Sequence, residues 1–372
     1  MDSIKALIKK HAREAGFDLV GVASAEAFDE HKAVTLERIR RGLMDGLPWF
    51  TEARVSRGAD PQVLLPGAKS IISLGLSYHL PERPEAETTS GRVARYAWGD
   101  DYHQVMKARM KSYVEGLSRR LGREVRARWY VDDGPMLDRA AAHRAGIGWF
   151  GKNTNILSPS HGSWIFLGQV VTDLELEPDA PSKKTCGECV RCIVACPTGA
   201  IVAPYVLDNK RCISHLTIEN RGPIPLELRP LMGDWVFGCD ICQDVCPVNV
   251  KAEYSKEKAF QKKRFTTLEL TELLEMTEEE FRLRFANSPI KRAKLWGLKR
   301  NACVALGNNG GDGSAVPALA KALRDEHPIV RGHAAWALGR LGGEEELKGR
   351  LGEEDDEDVR EEIRRALGVG EG

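Results

Sequence analysis

The chain has no run of apolar residues approaching the ~20 needed to cross a bilayer as a helix. Its first twenty residues mix charge with Ile4, Leu7 and Ile8 at helical spacing, and lack the unbroken apolar core of an export signal. Charge of one sign is not in excess either. Lys and Arg total 54 against 54 Asp and Glu, so composition announces no polyanion partner and any nucleic-acid surface must be local. With 42% apolar residues over 372 positions, disorder is not the default and two or three domains are allowed. The expected home is the reducing cytoplasm, with no membrane partner, where grouped cysteines act as metal ligands or redox groups more often than as disulfides.

What is present falls into three stretches. Residues 1 to about 170 alternate helical periodicity with short apolar runs at 18–23, 70–76, 127–131 and 164–171, which reads as α/β. The Pro-, Glu- and Thr-rich segment Leu80–Gly91 reads as an exposed loop. Between about 180 and 250, eight cysteines and seven prolines replace periodic patterning, so ligands rather than a large apolar core must hold this region. Beyond 256 the pattern is helical, with Thr277 and Glu280 spaced as a capping box. Arg300-Asn-Ala-Cys-Val-Ala-Leu-Gly307 then recurs as Gly332-His-Ala-Ala-Trp-Ala-Leu-Gly339, a period of about 30 that predicts stacked helical hairpins resembling HEAT repeats.

The cysteines carry the sharpest signal. Cys186, Cys189, Cys192 and Cys196-Pro197 have the C-x2-C-x2-C-x3-C-P spacing of bacterial ferredoxins, in which the fourth cysteine serves the other cluster. Cys239, Cys242 and Cys246-Pro247 supply the rest of a second run, and Cys212 completes the count. The exchange rule predicts two [4Fe-4S] clusters, one on Cys186, Cys189, Cys192 and Cys246, the other on Cys196, Cys212, Cys239 and Cys242. Zinc ribbons also use CxxC pairs, but zinc has no use for two interlocked C-x3-C-P tails. Cys303, inside a repeat helix, reads as a small buried hydrophobe.

Two segments of the first stretch are ambiguous. Gly146-Ile-Gly-Trp-Phe-Gly151-Lys152-Asn153 matches dinucleotide and phosphate-loop patterns, yet a helix rather than a strand precedes it and Asn153 stands where magnesium coordination wants Ser or Thr. A glycine strip that admits a flat ligand remains open. Asp132-Asp133-Gly134 follows an apolar strand, and reads equally as a turn or as an acid at a strand end.

The combination of Arg95-Tyr-Ala-Trp-Gly-Asp-Asp-Tyr-His103, Val131-Asp-Asp-Gly-Pro-Met-Leu-Asp-Arg139, Ala145–Asn153 and the double cysteine run resembles the epoxyqueuosine reductases. The resemblance covers about residues 1–255, and the helical tail is like that of longer members. It implies a multidomain α+β/α/β chain: an α/β cobalamin-binding catalytic domain at 1–175, a ferredoxin-like double-cluster domain at 176–255, and a helical linker with HEAT-like repeats at 256–372. It implies reduction of epoxyqueuosine to queuosine at the wobble position of tRNA, with cobalamin and two clusters fed by an external one-electron donor. Asp132 is the implied proton donor, with Asp133 as second candidate. Its pKa is expected to be raised by burial, as a neutral acid near pH 7 requires. Arg57, Tyr96, Asn153, Ser158 and Ser214 are the implied cobalamin contacts. No Asp-x-His-x-x-Gly offers cobalt a histidine.

An anticodon stem-loop needs phosphate contacts, for which Lys291, Arg292, Lys294, Lys299 and Arg300 are the candidates, with a solvated helix face as the bland alternative. Rival functions are a reductive dehalogenase-like enzyme acting on a small molecule, and a non-catalytic iron-sulfur electron carrier.

Overall fold

A computed structural model describes residues 4–81, 88–309 and 313–369. The four apolar runs of the first stretch are strands Leu19–Ser24, Ser70–Ser77, Ala127–Tyr130 and Ile165–Thr172. Ser70–Ser77 is buried along its whole length because it lies inside the sheet, between Leu19–Ser24 and Ile165–Thr172, and Ala127–Tyr130 adds an edge. Every pairing in this sheet is antiparallel, so the first domain is α+β and not the α/β arrangement expected from the alternation of helices and strands. Alternation along the chain does not record strand direction, which depends on how each connection returns. Helices Ile4–Glu14 and Tyr102–Leu121 cover one face through Ile8, Met106, Met110 and Tyr113, and Asp138–Arg144 covers the other through Ala140–Ala142.

The domain boundaries are less separable than the sequence suggests. Strand Ser90–Val93 pairs in parallel with Trp235–Phe237 from the cysteine-rich stretch and antiparallel with Thr267–Glu269 from the linker. One small sheet therefore sews all three stretches together. The segment Leu80–Gly91 departs from its loop reading at both ends: Leu80 is buried in the core, and Ser90 and Gly91 begin the strand. Residues 82–87 lie outside the described residues.

The capping box at Thr277 forms as expected, with both reciprocal hydrogen bonds. The repeats are helices Leu295–Asn309, Val316–Ala322, Pro328–Leu341, Glu344–Leu351 and Glu357–Ala366. Their recurrent glycine has a packing reason: a Cβ at Gly307 would meet Trp336 and Ala337, and one at Gly339 would meet Ala366, so the helices approach closely only without it. Cys303 is buried among them, as its apolar neighbours predicted. Among the described residues no helix is long and apolar enough to cross a membrane.

Candidate functional site

Three short helices position the cysteines. Cys212 is the N-cap of helix Ile213–Ile218, Cys196 follows helix Arg191–Ala195, and Cys242 lies in helix Ile241–Asp244. Backbone N–H groups point at the sulfurs: His215 and Ser214 at Cys212, Ile241 at Cys239, and Val248 and Asn249 at Cys246. Such donors stabilise thiolates. Burial and crowding of like sulfurs push the thiols up, and the crowding shows which are neighbours. Cys192 feels Cys186, Cys246 and Cys189, while Cys246 feels Cys186 and Cys189. Cys212 feels Cys196, Cys239 feels Cys242 and Cys212, and Cys242 feels Cys212 and Cys196. For each of these five thiols the strongest influence from another sulfur comes from a member of its own expected four. Cys242 also feels Cys192, which sets the two groups side by side.

The first two glycines of the strip pack against backbone. A Cβ at Gly148 would overlap the carbonyl oxygen of Leu157, and Gly146, at φ +73°, lies against the carbonyl of Ala180. The strip ends in two contacts that bridge the cysteine loops. Lys152 Nζ donates to the carbonyl of Gly187 at 2.6 Å, and Asn153 Nδ2 donates to that of Cys242 at 3.4 Å.

At the end of strand Ala127–Tyr130 the chain makes a three-residue turn, in which the N–H of Asp133 donates to the carbonyl of Val131 at 2.7 Å. Asp132 is its central residue, at φ +55°, a conformation that aspartate tolerates better than most side chains. The turn decides between the two carboxylates. Asp133 pairs with Lys107 at the surface, whereas Asp132 accepts a hydrogen bond from the Tyr102 hydroxyl and lies 3.8 Å from His103 Nε2. Helix Glu52–Gly58 backs the turn, with Arg54 donating to the carbonyl of Gly134 and Gly58 lying flat against that of Pro135.

Asp132 sits in a recess. Its side chain is 54% open to water, yet desolvation by surrounding protein is the largest influence on it. A shallow depression that is open to water but walled by protein fits both. Asp138, Arg139 and Tyr96 share this enclosure, and Arg139 feels Asp132, Asp138 and Cys212 together. Arg139, exposed and bonded to Thr154, is therefore within electrostatic reach of both Asp132 and Cys212. Asp138 Oδ1 is buried there without a hydrogen-bond partner among the described residues.

The protonation pattern departs from expectation. Burial pushes the Asp132 carboxyl up, but the neighbouring His103, the hydrogen bond from Tyr102 and the positive charge of Arg292 overcome it and hold the group below the usual carboxylate range. The expectation of a raised pKa is overturned because the partners that ionise it arrive from a helix nearly thirty residues earlier. Burial opposes charge on His103 as well, yet its bond to Asp101 and the nearby Asp132 carboxylate push it up to about 9. Asp138, desolvated and facing Asp132, is the carboxyl raised well above its ordinary value.

Of the implied cobalamin contacts, Tyr96 lines the recess, edge-on to Tyr102. Ser214 lies beside Cys212, Asn153 is nearly buried against the second cysteine loop, and Arg57 is exposed on the helix that backs the Asp132 turn. Ser158 does not fit the role, because it is fully buried and its hydroxyl is engaged with Ser160.

The basic cluster divides. Lys291 pairs with Asp101 at 3.2 Å and Arg292 with Glu219 at 2.5 Å, and Arg292 also acts on Asp132, which puts this pair at the rim of the recess. Lys294 is exposed at φ +63°. Arg300 is corrected: it is 1% exposed, and it donates to the carbonyls of Leu216, Asn220 and Gly222. It anchors a loop and cannot meet a phosphate. Lys299 is mostly buried against Asp325 at 2.9 Å.

Comparison with known proteins places these features. Residues 58–133 match the family model described as epoxyqueuosine reductase QueG, DUF1730, residues 185–249 the 4Fe-4S double cluster binding domain, and residues 290–368 HEAT repeats. An epoxyqueuosine reductase of Xanthomonas campestris pv. campestris is 39% identical over 343 residues, covering 91% of this chain and 96% of its own. A crystal structure of an epoxyqueuosine reductase with an epoxyqueuosine-modified tRNA-Tyr stem loop superposes with a TM-score of 0.91 at 33% identity, over 98% of both chains. A Bacillus subtilis epoxyqueuosine reductase, described with an aspartate catalytic loop swung out of the active site, matches equally well over 99% of both chains.

Proposed function

The chain belongs to the epoxyqueuosine reductase family, and from that membership we propose how its own residues divide the work. The reaction is the reduction of epoxyqueuosine in tRNA. Opening the epoxide to an alkene consumes two electrons and two protons and releases one water, so an electron path, a proton donor and a nucleotide-sized recess must converge. The family match along the whole chain carries this reading, and the joint action of Asp132 and Cys212 on Arg139 is in keeping with it. Neither a small-molecule dehalogenation nor a mere electron carrier accounts for the family match along the whole chain.

The two thiol groups fit [4Fe-4S] clusters: four sulfurs each, backbone donors aimed at them, and prolines after Cys196 and Cys246 turning the chain away. Cys186, Cys189, Cys192 and Cys246 hold the outer cluster, in loops with exposed Val194 and Val250. An external one-electron donor meets the protein there. Cys196, Cys212, Cys239 and Cys242 hold the inner one beside the recess.

The recess fits cobalamin in having enclosed polar groups open to a ligand, among them the unpartnered Asp138 oxygen. Tyr96, Asp138, Arg139, Asn153, Ser214 and Arg57 would hold it. Cobalamin when bound supplies a low-potential cobalt centre for the two-electron reduction. Asp132 delivers the proton to the departing oxygen. Its positive-φ turn is a part able to move, as the swung-out aspartate loop of the Bacillus subtilis relative suggests. Lys291, Arg292 and Lys294 flank the recess mouth and hold the stem-loop by its phosphates. A base brought out of its stack then reaches the recess.

The test is to incubate the protein, reconstituted with iron, sulfide and cobalamin, with a low-potential reductant and epoxyqueuosine-containing tRNA, and to follow the nucleoside by mass spectrometry. Loss of one oxygen is expected. Asp132→Asn should slow it by ~10²–10⁴-fold, the range of general acid catalysis, with cluster content unchanged. Full turnover by that variant would remove Asp132 from the mechanism.

A further inference from the structure

Asp132 is ionised at rest, so the proton it delivers must come from somewhere else. The neighbouring side chains limit the source. Tyr102 holds Asp132 through its hydroxyl, but burial and the adjacent carboxylate raise it well above its ordinary range, so it is a poor acid. Lys107 is engaged by Asp133, and Arg292 by Glu219. Asp138 is a raised carboxyl, but its buried Oδ1 has no hydrogen-bond partner among the described residues and so does not contact Asp132. His103 remains. Its ring stacks on Tyr102 with centroids 4.0 Å apart; Nδ1 donates to Asp101 Oδ1 at 2.8 Å, and Nε2 points to Asp132 Oδ1 at 3.8 Å.

Asp101 is built to stay in place. It is buried, caps helix Tyr102–Leu121 by accepting from the His103 N–H at 3.1 Å, and pairs with Lys291 at 3.2 Å. One aspartate thus orients the imidazole while the other faces the recess, as a carboxylate orients the histidine of a hydrolase triad.

We propose that Asp101, His103 and Asp132 form a proton line in which His103 stores the proton and Asp132 hands it to the substrate oxygen. His103 is on this account a positioning and proton-supplying residue that does not touch the substrate. The proposal rests on the reading of Asp132 as terminal donor. In the overall change, one epoxide, two electrons and two protons give one alkene and one water. The electrons come from the external one-electron donor through the clusters. The first proton passes from His103 to Asp132 and on to the oxygen as a carbon–oxygen bond breaks. His103 takes up a second from solvent, which follows the same line when the oxygen departs as water. The 3.8 Å gap exceeds a hydrogen bond, and closes as substrate fills the recess, in the way catalytic contacts tighten on binding.

Around His103 stand Tyr102, stacked on its ring, and the carboxylates of Asp101 and Asp132; Lys291 pairs with Asp101, Lys107 with Asp133, and Arg292 acts on Asp132. The two carboxylates in contact dominate and keep the ring charged until about pH 9.

The experiment measures single-turnover oxygen loss from an epoxyqueuosine stem-loop RNA against pH, in the reconstituted enzyme and in His103→Gln, Asp101→Asn and Asp132→Asn. In parallel, the pH dependence of C2-hydrogen exchange at His103 is read by mass spectrometry, which reports its titration independently of turnover. The wild-type rate is expected to fall as pH rises through about 9. Asp101→Asn preserves the helix cap but removes a charge, and should move both the His103 titration and the alkaline limb of the rate to lower pH together. His103→Gln should lose ~10²-fold and the limb itself, with iron content and RNA affinity retained. A His103 titration that shifts in Asp101→Asn while the rate limb stays would overturn the line, as would wild-type turnover in His103→Gln. Should Asp132→Asn turn over normally, the failure lies with Asp132 as donor; should it be inactive while His103→Gln is not, only the line fails.

Discussion

Arg300 shows how a residue's role depends on what folds over it. In the sequence it sits in a run of Lys and Arg that suits phosphates; in the structure its guanidinium satisfies backbone carbonyls of the loop after Cys212, and Asn301 beside it donates to those of Thr217 and Val236. Removing it leaves buried acceptors unpaired. Arg300→Ala is expected to cost about 2–4 kcal/mol of stability, seen as a lower midpoint in denaturant, while the folded fraction binds tRNA with unchanged affinity. The cysteines behave in the opposite way. The double-cluster domain over residues 185–249 was legible from spacing, because clustered ligands come from short loops with a fixed number of residues between them. Only Cys212 had to be recruited by counting. Cys212→Ser should lower iron content to about half and remove the inner cluster's electronic signature, since the other four thiols are untouched. The protonation of Asp132 was not legible, since its sign is set by His103 and Tyr102, which the sequence presents as part of a different motif.

At the scale of elements, the strands, the capping box and the stacked repeat helices follow their patterns closely, and strand direction does not. A period of two records which face is buried and says nothing about which neighbour lies alongside. The support beneath Asp132 is equally invisible in the sequence, where Gly58 is an unremarked glycine at the end of a short helix. In the structure a Cβ there would overlap the carbonyl oxygen of Pro135, three residues past Asp132, the proposed proton donor. Gly58→Ala is expected to push the turn away from the recess, lowering turnover by tenfold or more while leaving both clusters in place. Iron quantification beside the nucleoside assay checks both parts.

The whole molecule has no net charge, so any attraction for RNA must be local, and the segment 291–294 is the proposed place for it. Lys294→Glu, at an exposed position with no ion pair recorded among the described residues, should weaken tRNA binding at all sequences alike. It should lower the slope of log affinity against log salt by about 1, measurable by titrations at several ionic strengths. The repeats are also less of an appendage than their sequence suggests. Arg229 makes a two-pronged bond to Glu362 of the last helix, at 2.7 and 3.0 Å, and His333 accepts the N–H of Ile224.

The small sheet that joins the three stretches has a consequence for synthesis. Strand Ser90–Val93 leaves the ribosome early, but one of its partners, Trp235–Phe237, follows about 140 residues later and the other, Thr267–Glu269, about 30 residues after that. At the ~5–20 residues per second of translation, both of its edges stay open for several seconds or more, an exposure that invites pairing with other chains. The first domain cannot finish folding by itself during that time. Its completion coincides with the emergence of all eight cluster cysteines, so the nascent chain closes only once everything needed to receive iron is outside the ribosome.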